Sequence, residues 1–130
     1  MDKLTEKLDT ACNALKTLQE LIGQENIPII HRDAAIQRFE YTFEATWKAA
    51  KIYLTRIEGI EAASPKKVIR SCFQVGILTE KQTQLGLEMV DDRNLTSHTY
   101  HKGVAEGIYC RLADYAGLMQ HWLDAMRKMT

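Results

Sequence analysis

"VAEGIYCRLADYAGLMQHWLDAM", residues 104–126, decides the fold class. Val104, Ile108, Leu112, Tyr115, Met119, Trp122 and Met126 recur at intervals of four, four, three, four, three and four. That rhythm places seven large apolar side chains on one face of an α-helix. A half-buried strand would alternate apolar and polar residues instead, and no such run of useful length occurs anywhere in the chain.

Working back from this stretch, the same periodicity recurs. Leu4, Leu8, Ala11, Leu15, Leu18 and Ile22 predict a first helix that stops at Gly23. Ile36, Phe39, Phe43, Trp47, Ala50, Leu54 and Ile57 predict a second, longer one ending near Gly59. Ser64-Pro65 supplies an N-cap followed by proline at the first helical position, and opens a short helix carrying Val68, Ile69, Cys72 and Phe73 up to Gly76. A further helix over about 79–96 bears Leu85, Met89 and Val90. Both prolines lie between helices. Short connections between long amphipathic helices favour antiparallel neighbours. The expectation is all-α: an antiparallel up-and-down bundle of four main helices plus a short one, a single domain over 1–130.

Charge and composition narrow the function classes. Lys+Arg and Asp+Glu number 17 each, so no global field steers the chain toward nucleic acid or membrane, and any such contact must be local. The N-terminal "MDKLTEKLDT" has no apolar core of a signal peptide, and no apolar run approaches bilayer length. Cys12, Cys72 and Cys110 are odd in number and far apart, and read as buried reduced thiols. A cytoplasmic protein with no membrane association is expected.

Chemistry-bearing residues fall in two places. On the second helix a polar stripe, Asp33, Gln37, Glu40, Glu44, Lys48 and Lys51, runs beside Arg32 and Arg38. It serves either as a solvated face with the Glu44–Lys48 pair or as a partner or ligand face built on Arg38, Glu40, Glu44 and Lys48. "SPKKVIR" adds Lys66, Lys67 and Arg70, which can meet phosphate or simply water. The second place is "DDRNLTSHTY", 91–100, which lacks the Gly and Pro of an ordinary connection. Asn94, Thr96 and Ser97 bond their own backbone readily, so the helix is expected to unwind here. Arg93 can hold a phosphate, His98 can move a proton and Asn94 can orient either, a set suited to metal-independent phosphodiester chemistry. His98 and His101 lie near Asp91 and Asp92 but lack a third strong ligand at helical spacing. Glu-x-x-His and Cys-x-x-Cys-His are absent. Neither a metal nor any other cofactor is assigned.

"RDAAIQRFEYTFEATWK" (32–48) followed by "RNLTSHTY" (93–100) resembles the nucleotidyltransferase substrate-binding protein family, a branch of the HEPN superfamily. The likeness covers nearly the whole chain. The family's Arg-x4-His-x-Tyr motif falls on Arg93, His98 and Tyr100, with Asn94 as the polar residue after the arginine. Gly86, where relatives often carry a bulky aromatic, and His101-Lys102, where acidic residues are usual, depart from the pattern. The resemblance implies a homodimer in which Arg and His of both protomers line one cleft. It also implies a separately encoded minimal nucleotidyltransferase as partner. Two functions follow from it. One is a toxin-type, metal-independent endoribonuclease of a toxin–antitoxin pair, with Arg93, Asn94 and His98 catalytic and silenced by that partner. The other is a non-catalytic nucleotide- or substrate-binding subunit of a two-chain nucleotidyltransferase. Tyr100, at the mouth of the phosphate site, is a point of modification or substrate contact.

Overall fold

A computed structural model describes residues 2–130. The elements are α1 (Lys3–Gln19), α2 (Ile29–Tyr53), α3 (Pro65–Gln74), α4 (Glu80–Leu95) and α5 (Lys102–Lys128). A π-helical turn, Leu54–Glu58, extends α2, and a 3-10 turn, Thr96–His98, follows α4. No strand occurs among the described residues. The bundle is therefore all-α, as the periodicity requires.

Contacts fix the helix directions. The Thr17 and Tyr41 hydroxyls meet at 2.8 Å, Arg38 donates to Glu20 and His31 meets the Leu21 carbonyl, so the order reverses and α1 and α2 run antiparallel over a short connection. His31 meets Tyr109 edge to face and Phe39 stacks on Tyr115 at 5.6 Å, so α2 and α5 run parallel. With α4 turning back through a tight connection into α5, the four long helices alternate up and down. The short α3 occupies the crossover between α2 and α4. Lys66 reaches Asp91 and Ile69 abuts Gly86, so α3 lies antiparallel to α4.

Local chemistry sets the boundaries. Asp2 accepts from the Thr5 N–H, Ser64 accepts from the Lys67 N–H, and Thr79 with Gln82 forms a reciprocal capping box. Gly59 ends the α2 extension at φ 68, a left-handed conformation that glycine adopts without side-chain strain. The buried hydroxyls of Thr42 and Thr46 bond carbonyls four residues back, so α2 carries them in the core without orphaned donors. Gly86 is explained by packing: a Cβ there would stand 3.2 Å from Cγ2 of Ile69, so its missing side chain is what lets α3 approach α4. Trp122, Tyr53, Tyr115, Phe39 and Phe43 fill the centre of the bundle.

Four expectations need correction. α1 ends at Gln19 and continues as turns, with Gly23 closing them at φ 74. Ile57 is about half exposed because the π turn adds a residue to the last coil and rotates it off the core face. Phe73 and Cys110 are exposed too, and only Cys72 is a buried thiol. Cys110 sits two residues past the buried Ile108, about 200° around α5 from the core. Among the described residues no helix is long and apolar enough to cross a membrane.

Candidate functional site

The rim segment starts where α4 stops. Thr96 both accepts from Arg93 Nη1 (3.1 Å) and donates to the Arg93 carbonyl (2.7 Å), and Ser97 bonds the Asn94 carbonyl. These hydroxyls satisfy the helix end locally, which is how the chain leaves α4 without Gly or Pro.

Just before that end, three consecutive side chains clasp three different helices, because each residue turns about 100° from the last. Asp91 pairs with Lys66 of α3 at 2.8 Å. Asp92 is buried and receives both Nε and Nη2 of Arg111 on α5 at 2.6 and 2.9 Å, together with the Tyr115 hydroxyl. Arg93 faces α2, with Nη1 3.5 Å from Glu40 and Nε 3.6 Å from Glu44. Burial, and then the Asp92 carboxylate, push the Tyr115 hydroxyl above its ordinary pKa, while the hydrogen bonds to Asp92 hold Arg111 firmly cationic.

Arg93 is thus anchored but not saturated. Its Nε is buried with no hydrogen bond, since its ion pair with Glu44, at 3.6 Å, exceeds hydrogen-bond length. Two carboxylates share the one guanidinium, and Glu44 also takes the Trp47 indole N–H (3.2 Å) and Lys48 (3.7 Å). Of the polar stripe, then, Glu40, Glu44 and Lys48 gather at Arg93. Arg38 does not: it points to α1, bonding the Thr17 carbonyl at 2.7 Å and Glu20 at 3.2 Å.

Asn94, His98 and Tyr100 are exposed. His98 Nδ1 lies 3.4 Å from the Tyr100 hydroxyl, and the two rings meet edge to face at 5.9 Å. Tyr100 also lies against His101 at 4.4 Å, so the departure at 101 stacks on the tyrosine. Among the described residues no hydrogen bond or ion pair joins Arg93 to His98, and no three metal-ligating side chains converge. Asp91 and Asp92 are turned toward Lys66 and Arg111, away from any histidine ligand set. The rim therefore offers an accessible imidazole–phenol pair and, about a turn back, a half-buried guanidinium whose one hydrogen bond goes to Thr96. Such groups can move a proton and neutralise a phosphate. Sequence reading passed over Arg111 and placed Tyr115 in the apolar stripe, although their i,i+4 spacing signals a shared face.

The sequence matches the family described as "Nucleotidyltransferase substrate binding protein like" over residues 6–128. A crystal structure of a Thermus thermophilus protein is 54% identical with a TM-score of 0.88, covering 90% of this chain and 98% of that one. A Haemophilus influenzae structure, described as the fold of a substrate binding domain of a nucleotidyltransferase, shares the fold at 23% identity and TM-score 0.77, covering 92% and 98%. A curated H. influenzae relative, "Probable ribonuclease HepT", is 28% identical over 98 residues, 72% of this chain. The match spans 66% of that relative's length, just under two thirds. Helical architecture, rim and family match agree: the chain belongs to the nucleotidyltransferase substrate-binding protein family.

Proposed function

We propose that the protein is the HEPN-type subunit of a two-component module with a separately encoded minimal nucleotidyltransferase, and that it cleaves RNA without a metal. The observation that carries this is the rim: exposed His98 beside exposed Tyr100, with the incompletely bonded Arg93 behind them. His98 takes the proton of a ribose 2′-hydroxyl, and O2′ attacks the adjacent phosphorus. The P–O5′ bond breaks and the leaving oxygen takes a proton from water, whose hydroxide is neutralised by the His98 imidazolium, giving a 2′,3′-cyclic phosphate and a 5′-hydroxyl. Arg93 neutralises the phosphate, and Asn94 orients the imidazole or the hydroxyl. Since Arg93 and His98 are unconnected within one chain, a homodimer that pairs the two rims completes the site.

Tyr100 supplies the control. The partner transfers a nucleoside monophosphate from a nucleoside triphosphate: the phenolic oxygen attacks the α-phosphorus, pyrophosphate leaves, and His98 at 3.4 Å is placed to accept the phenolic proton. The added phosphate then occupies Arg93 and His98, so RNA is excluded.

The test is RNA cleavage by purified protein in chelator, with Arg93→Ala and His98→Ala expected to keep the fold and lose activity. Activity retained by His98→Ala, or abolished by chelation, overturns the mechanism, and light scattering that shows a monomer removes the composite site. After co-expression with the partner, intact-mass analysis should show added nucleotide that Tyr100→Phe abolishes. One observation favours the alternative reading, a non-catalytic nucleotide- or substrate-binding subunit: Glu40 and Glu44 already engage Arg93. Nucleotide binding with the partner, and no cleavage by the wild type, selects it.

A further inference from the structure

Below Arg93 on α2, a groove of about 490 Å³ opens against the start of α1. Its walls carry Lys3, Lys7, Lys48, Lys51 and Arg56 around the half-buried Trp47, and no carboxylate lines it. The whole chain is neutral, so this is a local accumulation of one sign. Of the five cations only Lys48 has an ion pair, the 3.7 Å contact with Glu44, and the other four have none among the described residues. The nearby Asp2 is spent capping α1: it accepts from the Thr5 N–H at 2.9 Å and from the Thr5 hydroxyl at 3.3 Å. Lys3 and Lys7 are four apart and Lys48 and Lys51 three apart, so like charges face each other on both walls. Such pairs destabilise a helix unless an anion lies between them.

One face of α2 joins the groove to the carboxylates that hold Arg93. Glu40, Glu44, Lys48 and Lys51 follow one face of α2, and Arg93 sits on the first two of them. Trp47 touches both regions, lining the groove while its N–H bonds Glu44. Cations that recur at each helical turn, about 5.4 Å apart, track a phosphodiester backbone, and an aromatic among them offers a base a face to stack on.

We propose that this groove binds single-stranded RNA, with phosphates on Lys3, Lys7, Lys51 and Arg56 and a base against Trp47, and leads the strand toward Arg93. The identity of the strand as RNA rests on the nuclease reading, whereas binding in the groove does not require cleavage.

The probe is a fluorescent oligodeoxyuridine of about twelve nucleotides. It has no 2′-hydroxyl and cannot be cleaved by the proposed route, so binding is scored separately from catalysis. Four unpaired cations predict a log–log salt slope of about 2.8, a loss of about fifty-fold in affinity between about 50 and 200 mM salt. The double variant Lys7→Gln, Lys51→Gln should lower the slope to about 1.4, a loss of about seven-fold. The control Lys16→Gln, Lys81→Gln removes the same charge from exposed positions outside the groove and should leave the slope unchanged. Binding should also quench Trp47, since the other tryptophan, Trp122, is fully buried. Binding without RNA cleavage would leave the groove standing and remove the nuclease reading. An unchanged slope in the groove variant, or an equal loss in the control, overturns the groove. Polyglutamate that competes equally and quenches Trp47 equally makes it a protein-docking surface and overturns the nucleic-acid assignment.

Discussion

Replacing Asp92 with alanine tests the buried clasp beneath the rim most directly. Asp92 accepts three hydrogen bonds, and its partners differ in what they can do once it is gone. Tyr115 is 1% exposed, so its hydroxyl finds no water and is left as a stranded buried donor, costing about 1–3 kcal/mol. The Arg111 side chain is 46% exposed and turns into solvent, so its lost pairing is worth about 0–1 kcal/mol. Asp92→Ala should therefore cost about 2–3 kcal/mol, against about 1 kcal/mol for Tyr115→Phe, which leaves the Arg111 pairing intact. The two changes should not add. In the Tyr115→Phe background no hydroxyl remains to be stranded, so Asp92→Ala should cost only about 1 kcal/mol. Urea denaturation followed by far-UV circular dichroism measures all four corners of the cycle. Strictly additive losses, or Asp92→Ala within about 0.5 kcal/mol of wild type, would refute the account.

Two further outcomes follow from the packing. Burial, with Glu58 second, pushes the Tyr53 hydroxyl up to about 12, and burial pushes the Cys72 thiol up to about 11. Both folded values lie above the unfolded ones, so the stability they carry is complete below pH 9 and is lost as pH rises toward 11 and 12. Tyr53→Phe should flatten the fall between pH 10 and 12 in an alkaline denaturation series, and an unchanged slope would count against it. Gly86→Leu should destabilise by about 1–3 kcal/mol despite leucine's better helix propensity, because the new side chain enters the space held by Ile69. Ile69→Ala should recover part of that loss in a thermal melt, and no recovery would place the strain elsewhere.

The fold was legible because burial repeats along each helix. All six successors of Val104 in the α5 stripe are buried, and Ser64-Pro65 opens a helix where its chemistry says it should. Ile57 was not legible, since the π turn that displaces it arises where α2 yields to the Gly59 turn and leaves no mark in apolar spacing. Arg93, Asn94, His98 and Tyr100 stood out as chemistry crowded into one segment. Their surroundings did not. That Glu40 and Glu44 would reach Arg93 while Arg38 turned to α1 depends on how α2 faces two neighbours at once. That Asp92 would bury itself on Arg111 depends on the crossing of α4 and α5. Spacing along one helix carries no information about such crossings.

The three clasps at Asp91, Asp92 and Arg93 bear on which insertions and deletions α4 can survive. Losing or gaining one residue between Gln84 and Val90 would turn everything beyond it by about 100° and slide it by about 1.5 Å. The apolar side of the helix has some slack for this: Leu85, Leu87, Met89 and Val90 lie at several angles, and one greasy side chain can replace another against the core. The charges have none. After a single-residue shift Asp92 would leave Arg111, Arg93 would turn away from the glutamates, and Lys66 would face a different partner. Apart from Gly86, whose missing side chain admits Ile69, point substitutions in this stretch can therefore accumulate across descendants while its length stays fixed, so a gap aligned there in a proposed relative would mark a different rim.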